Sequence, residues 1–149
     1  MERIHASCVV LGECGVLIRG ASGSGKSGLA RQLVFEATGA GSFASLVSDD
    51  RVAVEVRHGR LIARAVFPIA GQLEIRGVGL VGVGHEPATV IRLVIDCEAK
   101  RPSRMPDSAE GSALIAGVRL RRLVHHGDPA FAPVVTRLCG RDDTIMTLR

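Results

Sequence analysis

The chain has 149 residues, of which 46% are hydrophobic and 23% charged, and its formal net charge is +4. This size and composition indicate one globular domain and exclude a disordered chain. No apolar run approaches the roughly 18 residues that span a membrane, and the first residues lack a signal-peptide core, so we expect a cytoplasmic protein.

The first part of the chain alternates short apolar runs with a glycine-rich loop. Residues 6–11 and 15–19 are apolar and bounded by glycines, which predicts two strands. Residues 20–27 are too rich in Gly and Ser for regular structure until their end. From residue 25 to about 37 the apolar side chains have helical spacing, which predicts a helix directly after the loop.

The remaining pattern predicts mostly strands. The candidates are residues 46–48, a hairpin formed by 52–56 and 61–66, a buried strand at 88–97 and a weak strand at 118–124. Residues 73–83 are interrupted by glycines, and the prolines in residues 100–112 predict a loop. Residues 128–138 open with Asp and Pro, as helices do, although Pro133 leaves the interior of that helix uncertain. Together these elements indicate an α/β fold with a mixed, mostly-β sheet.

The most informative motif is the sequence GASGSGKS, which fits the phosphate-binding P-loop pattern G-x-x-x-x-G-K-[ST]. Its glycines let backbone N–H groups turn toward phosphate oxygens, and the following helix adds the positive end of its dipole. We expect Lys26 to neutralise phosphate charge and the Ser27 hydroxyl to ligate Mg²⁺. The predicted nucleotide-binding residues are Gly20, Ala21, Ser22, Gly23, Ser24, Gly25, Lys26 and Ser27.

Acidic and basic side chains elsewhere complete the candidate site. Asp49 and Asp50 follow the short strand 46–48, where one carboxylate could act as a base while the other reaches the metal. A turn with two solvated acids is the alternative. Glu74 and Arg76 would share one face of a strand, where a surface ion pair is the alternative interpretation.

Together these residues resemble the catalytic domain of the HPr kinase/phosphorylase family. His5 precedes the loop, GASGSGKS matches the family's P-loop, SDDRV its paired-Asp segment and LEIRGVGLV its signature. The resemblance covers about residues 4–97. It implies a single P-loop kinase domain of the HPr kinase/phosphoenolpyruvate carboxykinase-like type over residues 1–149. The chain resembles the short alphaproteobacterial members, which lack the N-terminal regulatory domain.

The resemblance implies an ATP- and Mg²⁺-dependent kinase that phosphorylates a serine of HPr, a phosphocarrier protein of the phosphotransferase system. Some members use pyrophosphate in place of ATP, and many remove the phosphate again by attack of inorganic phosphate. Family members are often hexamers, so a homo-oligomer is compatible with the resemblance.

Carried over by position, the resemblance also implies residue roles. Asp49 would be the general base, Asp50 would support the metal or the base, and His5 would lie close to the catalytic carboxylate. The phosphates would contact Lys26, and Mg²⁺ would contact Ser27. Glu74 and Arg76 would belong to the signature that lines the site.

Two departures from the family pattern leave a second function open. Gly28 stands where the family has an acidic residue, and residues 124–129 lack the family's Gly-Arg-Asn run. The alternative is a nucleotide-binding regulatory module that signals to a partner, such as a sensor kinase, without phosphoryl transfer. A P-loop kinase for a small molecule is a third hypothesis, which the absence of a recognisable arginine lid disfavours.

The basic excess lies in the last third of the chain. Residues 1–99 carry as many basic as acidic side chains, so the whole net charge falls in residues 100–149. Arg119 and Arg121 would share one strand face and could meet an acidic surface of HPr; a solvated surface is the alternative. The chain has no Trp or Tyr, so it offers few rings for base stacking, and we expect no nucleic-acid partner.

Overall fold

The computed structural model describes residues 1–66, 72–75, 79–82, 85–98 and 111–140, with the backbone alone for 72–75 and 79–82. Within these ranges the chain forms strands and two helices. The strands are β1 (Glu2–Ile4), β2 (Ala6–Leu11), β3 (Cys14–Arg19), β4 (Ala44–Ser48), β5 (Val52–Arg57), β6 (Arg60–Ala65), β7 (Gln72–Ile75), β8 (Gly79–Gly82), β9 (Ala88–Cys97), β10 (Ser112–Ile115) and β11 (Val118–His125). The helices are α1 (Lys26–Gly39) and α2 (Phe131–Cys139).

Nine of these strands form one curled sheet. Its order is β1-β5-β6-β9-β3-β2-β4, with β10 and β11 joined to it through β9, while β7 and β8 form a separate pair. Most neighbours are antiparallel, but β9 runs parallel to both β3 and β11. The chain passes almost directly from β1 to β2 and from β4 to β5, although these strands belong to different ends of the order. The sheet must therefore curl. Its combination of parallel and antiparallel neighbours confirms the predicted mixed, mostly-β architecture.

The curled sheet has an apolar core on each face because alternate side chains of a strand point to opposite sides. On one face, Leu29 and Leu33 of α1 and Val135 of α2 pack against strand residues such as Val16. On the other face, Leu17 belongs to a cluster contributed largely by β2, β5, β6 and β9. The four cysteines are free and buried, as predicted. β3 and β9 lie side by side between the two cores, and the glycine-rich loop begins at the end of β3.

The structure confirms the predicted strands β2, β3, β4, β9 and β11, the β5–β6 hairpin and both helices. Pro133 does not interrupt α2, because it lies in the first turn, where its missing N–H has no helical partner. The three-residue β1 and four-residue β10 were not predicted. Most of the predicted loop 100–112 lies outside the described residues. No helix within the described ranges is long and apolar enough to cross a bilayer.

Candidate active site

Strand register brings together two segments that are distant in sequence, the β1–β2 connection and the β4–β5 connection. Ile4 of β1 pairs with Val52 of β5, and Cys8 of β2 pairs with Ser48 of β4. Because both pairings are antiparallel, residues 5–7 must lie opposite residues 49–51. The histidine and the two aspartates, which are far apart in sequence, therefore meet at one point beside the P-loop.

The P-loop connects β3 to α1 in a conformation that requires glycine. Gly23 and Gly25 have φ values of 80° and 97°, which side chains rarely adopt. At Gly20 a Cβ atom would lie 2.5 Å from Ser24 Oγ and 3.0 Å from the Cys97 carbonyl oxygen. Glycine at this position therefore lets the loop pack against the end of β9.

Lys26 is the first residue of α1, and only 4% of it is exposed. Its Nζ donates to the Ala21 carbonyl at 3.2 Å and lies 3.6 Å from Asp50 Oδ1. The ammonium group thus bridges the loop and Asp50. A phosphate held by the loop would meet this charge.

Asp49 is buried against the loop, with 9% of the residue exposed. Its Oδ1 accepts hydrogen bonds from Ser27 Oγ at 2.7 Å and from Ser7 Oγ at 2.8 Å. The Ser7 hydroxyl also accepts a hydrogen bond at 3.0 Å from the backbone N–H of Asp50. Sequence reasoning missed Ser7, although a serine inside the apolar run of β2 was a signal that its hydroxyl has a buried partner.

Asp50 has a different environment. Its side chain is 57% exposed, and its Oδ1 lies 2.5 Å from His5 Nε2. The residue has a φ of 66°, a left-handed conformation that is uncommon outside glycine and concentrates at functional sites. Asp50 is therefore open to an incoming substrate, whereas Asp49 faces the loop serine.

The structure brings together most of the predicted site residues. His5 and Lys26 contact Asp50, Ser27 contacts Asp49, and Ser7 links the two aspartates. The histidine contacts Asp50 and not Asp49. Glu74 lies on β7, of which only the backbone is described, and Arg76 lies outside the described residues.

The donor atoms suit a magnesium–phosphate group. The hydroxyl of Ser27 and the carboxylate of Asp49 are hard oxygen donors, the class that Mg²⁺ prefers. Ser24 Oγ is shielded from water and has no hydrogen-bond partner among the described residues. A buried hydroxyl without a partner is costly, and a phosphate oxygen in the loop could satisfy it.

A cluster of charged side chains braces the strands that carry the loop. Arg19, the residue before Gly20, donates from Nε and Nη2 to the two carboxylate oxygens of Asp96 at 2.8 and 2.9 Å. Arg122 donates from Nε to Asp96 Oδ2 at 2.5 Å. Burial alone would raise the pKa of Asp96, but the two guanidinium groups outweigh it and hold that pKa below its usual range.

We expect Asp96→Asn to reduce the free energy of unfolding by about 2–3 kcal/mol at neutral pH, because it weakens hydrogen bonds to two partly buried arginines. The folded-state pKa of Asp96 lies below its unfolded value, so the carboxylate stabilises the fold above its ordinary pKa of 3.8. This stabilisation is lost as the pH falls through the lower, folded-state pKa.

Urea unfolding between pH 2 and 7 measures both effects. Glu98→Gln is the matched control, because Glu98 is half exposed and accepts a single 3.0 Å hydrogen bond from Arg122. This control should cost less than about 0.5 kcal/mol. An Asp96→Asn protein as stable as wild type at pH 7 would contradict the bracing role.

Comparison with known proteins places the chain beside a group of bacterial kinases. The family model described as HPr Serine kinase C-terminal domain matches residues 1–105. The HPr kinase/phosphorylase of Clostridium tetani is 36% identical over 81 residues, which are 54% of this chain and 25% of that protein. That of Clostridium beijerinckii is 37% identical over 81 residues, with the same coverage. The match thus spans about a quarter of the length of these curated relatives.

The fold is similar to a solved structure over nearly its whole length. The HPr(Ser) kinase/phosphatase from Coxiella burnetii superposes with a TM-score of 0.75 and 22% sequence identity. The alignment covers 98% of this chain and 93% of that chain. This likeness confirms the predicted fold class.

Proposed function

This chain belongs to the family of HPr serine kinase C-terminal domains, and on that premise we propose that it is an ATP- and Mg²⁺-dependent protein serine kinase. The acceptor would be a serine of an HPr-like phosphocarrier protein. The observation that carries the proposal is the environment of Asp50. An exposed carboxylate is held by His5 at 2.5 Å, and the P-loop lysine lies 3.6 Å away.

The contacts support different roles for the two aspartates. Asp50 is accessible to a substrate hydroxyl, so we assign it as the general base that accepts the serine proton. His5 orients the Asp50 carboxylate. Asp49 is hydrogen-bonded to Ser27, so we assign it to the metal side of the site. This assignment exchanges the roles that the family resemblance implied.

The protein's own groups would act mainly by positioning and by charge. The P-loop N–H groups and the Ser24 hydroxyl would hold phosphate oxygens, and the Lys26 ammonium would neutralise their charge. Ser27 and Asp49 would hold Mg²⁺, which supplies further neutralisation of phosphate charge when bound. The serine oxygen would attack the γ-phosphorus of ATP, the bond to ADP would break, and Asp50 would take the hydroxyl proton.

The same carboxyl group can serve the reverse reaction. Protonated Asp50 would return its proton to the serine oxygen while inorganic phosphate attacks phosphoserine and leaves as pyrophosphate. We therefore propose phosphorolysis as a second direction of the same site. The proposal assigns the same residues to both directions.

Mass spectrometry of the acceptor tests this proposal. Purified HPr would be incubated with the protein, Mg²⁺ and ATP, and the modified residue located by peptide fragmentation. We expect one phosphate on a serine, stable to acid that hydrolyses phosphohistidine, and none on HPr in which that serine is alanine. Nucleotide binding without any acceptor phosphorylation would contradict the kinase and favour the nucleotide-binding regulatory module.

A further inference from the structure

A second candidate binding site lies on β9, the central strand that pairs with β3, toward the end of β9 that is away from the P-loop. One edge of β9 is shared by two strands. β6 pairs with residues 88–90 and β11 pairs with residues 93–97. Between them, Ile91 and Arg92 pair with none of the described strands on this edge. The gap opens into a cavity of about 310 Å³.

A β-bulge places Arg92 at this gap. On the other edge of β9, Gly15 pairs with Ile91 and Val16 pairs with Leu93, so Arg92 is the extra residue. Bulges of this kind redirect a side chain and are common beside functional sites. Gly15 permits the close approach, because a Cβ atom there would overlap the Val90 carbonyl oxygen. The glycine and the bulge together direct Arg92 to the cavity wall.

The cavity is strongly basic. Four arginines line it, and no carboxylate belongs to its described lining: Arg60, Arg92, Arg119 and Arg121. Arg60 and Arg119 are exposed, and Arg92 is half-buried. The Nε atom of Arg92 is shielded from water and has no hydrogen-bond partner among the described residues. A buried guanidinium N–H without an acceptor is costly, so this geometry indicates a missing anionic partner.

This cavity is separate from the proposed phosphate-transfer site. The P-loop follows Arg19, which pairs with Asp96, whereas the cavity surrounds residues 90–92. From Ile91, the middle of this stretch, to Asp96 is five residues of extended strand, which is about 17 Å. A small ligand in the cavity would therefore not reach the P-loop. The concave shape also distinguishes these arginines from a flat protein-docking surface.

We propose that this cavity binds a small anion whose phosphate groups carry more than one negative charge, such as a phosphate ester or a polyphosphate. Planar guanidinium groups pair with phosphate oxygens through two parallel hydrogen bonds. A phosphate group carries up to two negative charges, so it matches several arginines better than a single carboxylate does. The cavity volume lies at the lower end of the range of about 300–1,000 Å³ found for small-molecule sites.

Calorimetric titration with pyrophosphate tests the proposal. The full-length Lys26→Ala protein would be used, so that the P-loop contributes little to binding. We expect saturable binding at one site, weakened about tenfold or more by Arg92→Gln and by Arg119→Gln, because each removes charge-assisted hydrogen bonds. Arg137→Gln is the matched control, because it removes the same charge from an exposed position of α2 outside the cavity.

The outcomes distinguish a phosphate site from nonspecific attraction to positive charge and from a site for carboxylates. Absence of binding, or equal weakening by Arg92→Gln, Arg119→Gln and Arg137→Gln, would overturn the proposal. Binding of citrate but not of pyrophosphate would overturn the phosphate assignment. If Arg92→Gln lowers the melting temperature, its weaker binding could reflect a destabilised fold. The affinity of Arg119→Gln, whose substituted side chain is exposed, then tests the proposal. These results do not depend on phosphoryl transfer, so they stand whether or not the proposed kinase activity is found.

Discussion

Replacing Asp50 with asparagine is expected to lower the rate of phosphoryl transfer to HPr by about 10²- to 10⁴-fold, which is the usual contribution of a positioned general base. Asparagine has nearly the same shape as aspartate but cannot accept the serine proton. Nucleotide affinity should change little, because Asp50 is 57% exposed and hydrogen-bonded to His5 and not to Ser27. Single-turnover transfer at saturating ATP and Mg²⁺ measures the effect.

Comparison with His5→Gln would distinguish proton transfer from positioning. Gln can still donate a hydrogen bond to Asp50, so this variant should retain much more transfer than Asp50→Asn. If Asp50→Asn transfers phosphate at a rate near that of wild type, Asp50 is not the base. If Asp49→Asn is inactive in the same assay, the base is Asp49, as the family resemblance implied.

Replacing Asp49 is expected to have its largest effect on binding. Its Oδ1 accepts hydrogen bonds from Ser27 at 2.7 Å and from Ser7 at 2.8 Å. Asp49→Asn removes the negative charge that would attract the metal and disturbs the serine that would ligate it. We expect ATP affinity in the presence of Mg²⁺ to fall by about 10- to 100-fold, as for other groups that orient metal ligands.

The magnesium dependence makes this result diagnostic. ATP affinity measured with EDTA should differ little between Asp49→Asn and wild type, because the effect depends on the metal. Titration of a fluorescent ATP analogue, with and without Mg²⁺, provides both affinities. Equal Mg²⁺-dependent affinities for wild type and Asp49→Asn would show that this carboxylate does not serve the metal.

Local sequence patterns were enough to predict most of the fold. Apolar runs bounded by glycines predicted β2 and β3, and helical spacing after the loop predicted α1. The short β1 could not be predicted, because three residues show no periodicity and the strand depends on long-range pairing with β5. The curl of the sheet also depends on this pairing, so its geometry is not encoded in any one segment.

Sequence identified the residues of the candidate active site better than their arrangement. The loop motif and the paired aspartates are local and recognisable, but adjacent carboxylates cannot be told apart without knowing what each contacts. The pairing of residues 5–7 with residues 49–51 brings His5 to Asp50 and Ser7 to Asp49. The bulge at Arg92 could not be predicted for the same reason, because it is defined by the register between β9 and β3.

Transfer of labelled γ-phosphate from ATP to HPr by wild-type protein and by Lys26→Ala tests the central claim most directly. Lys100→Ala is the matched control, because Lys100 is the only other lysine in the chain. We predict serine-bound label with wild type and Lys100→Ala and none above background with Lys26→Ala. Label that persists with Lys26→Ala, or no label with a wild-type protein that binds ATP, would contradict a serine kinase acting through this P-loop.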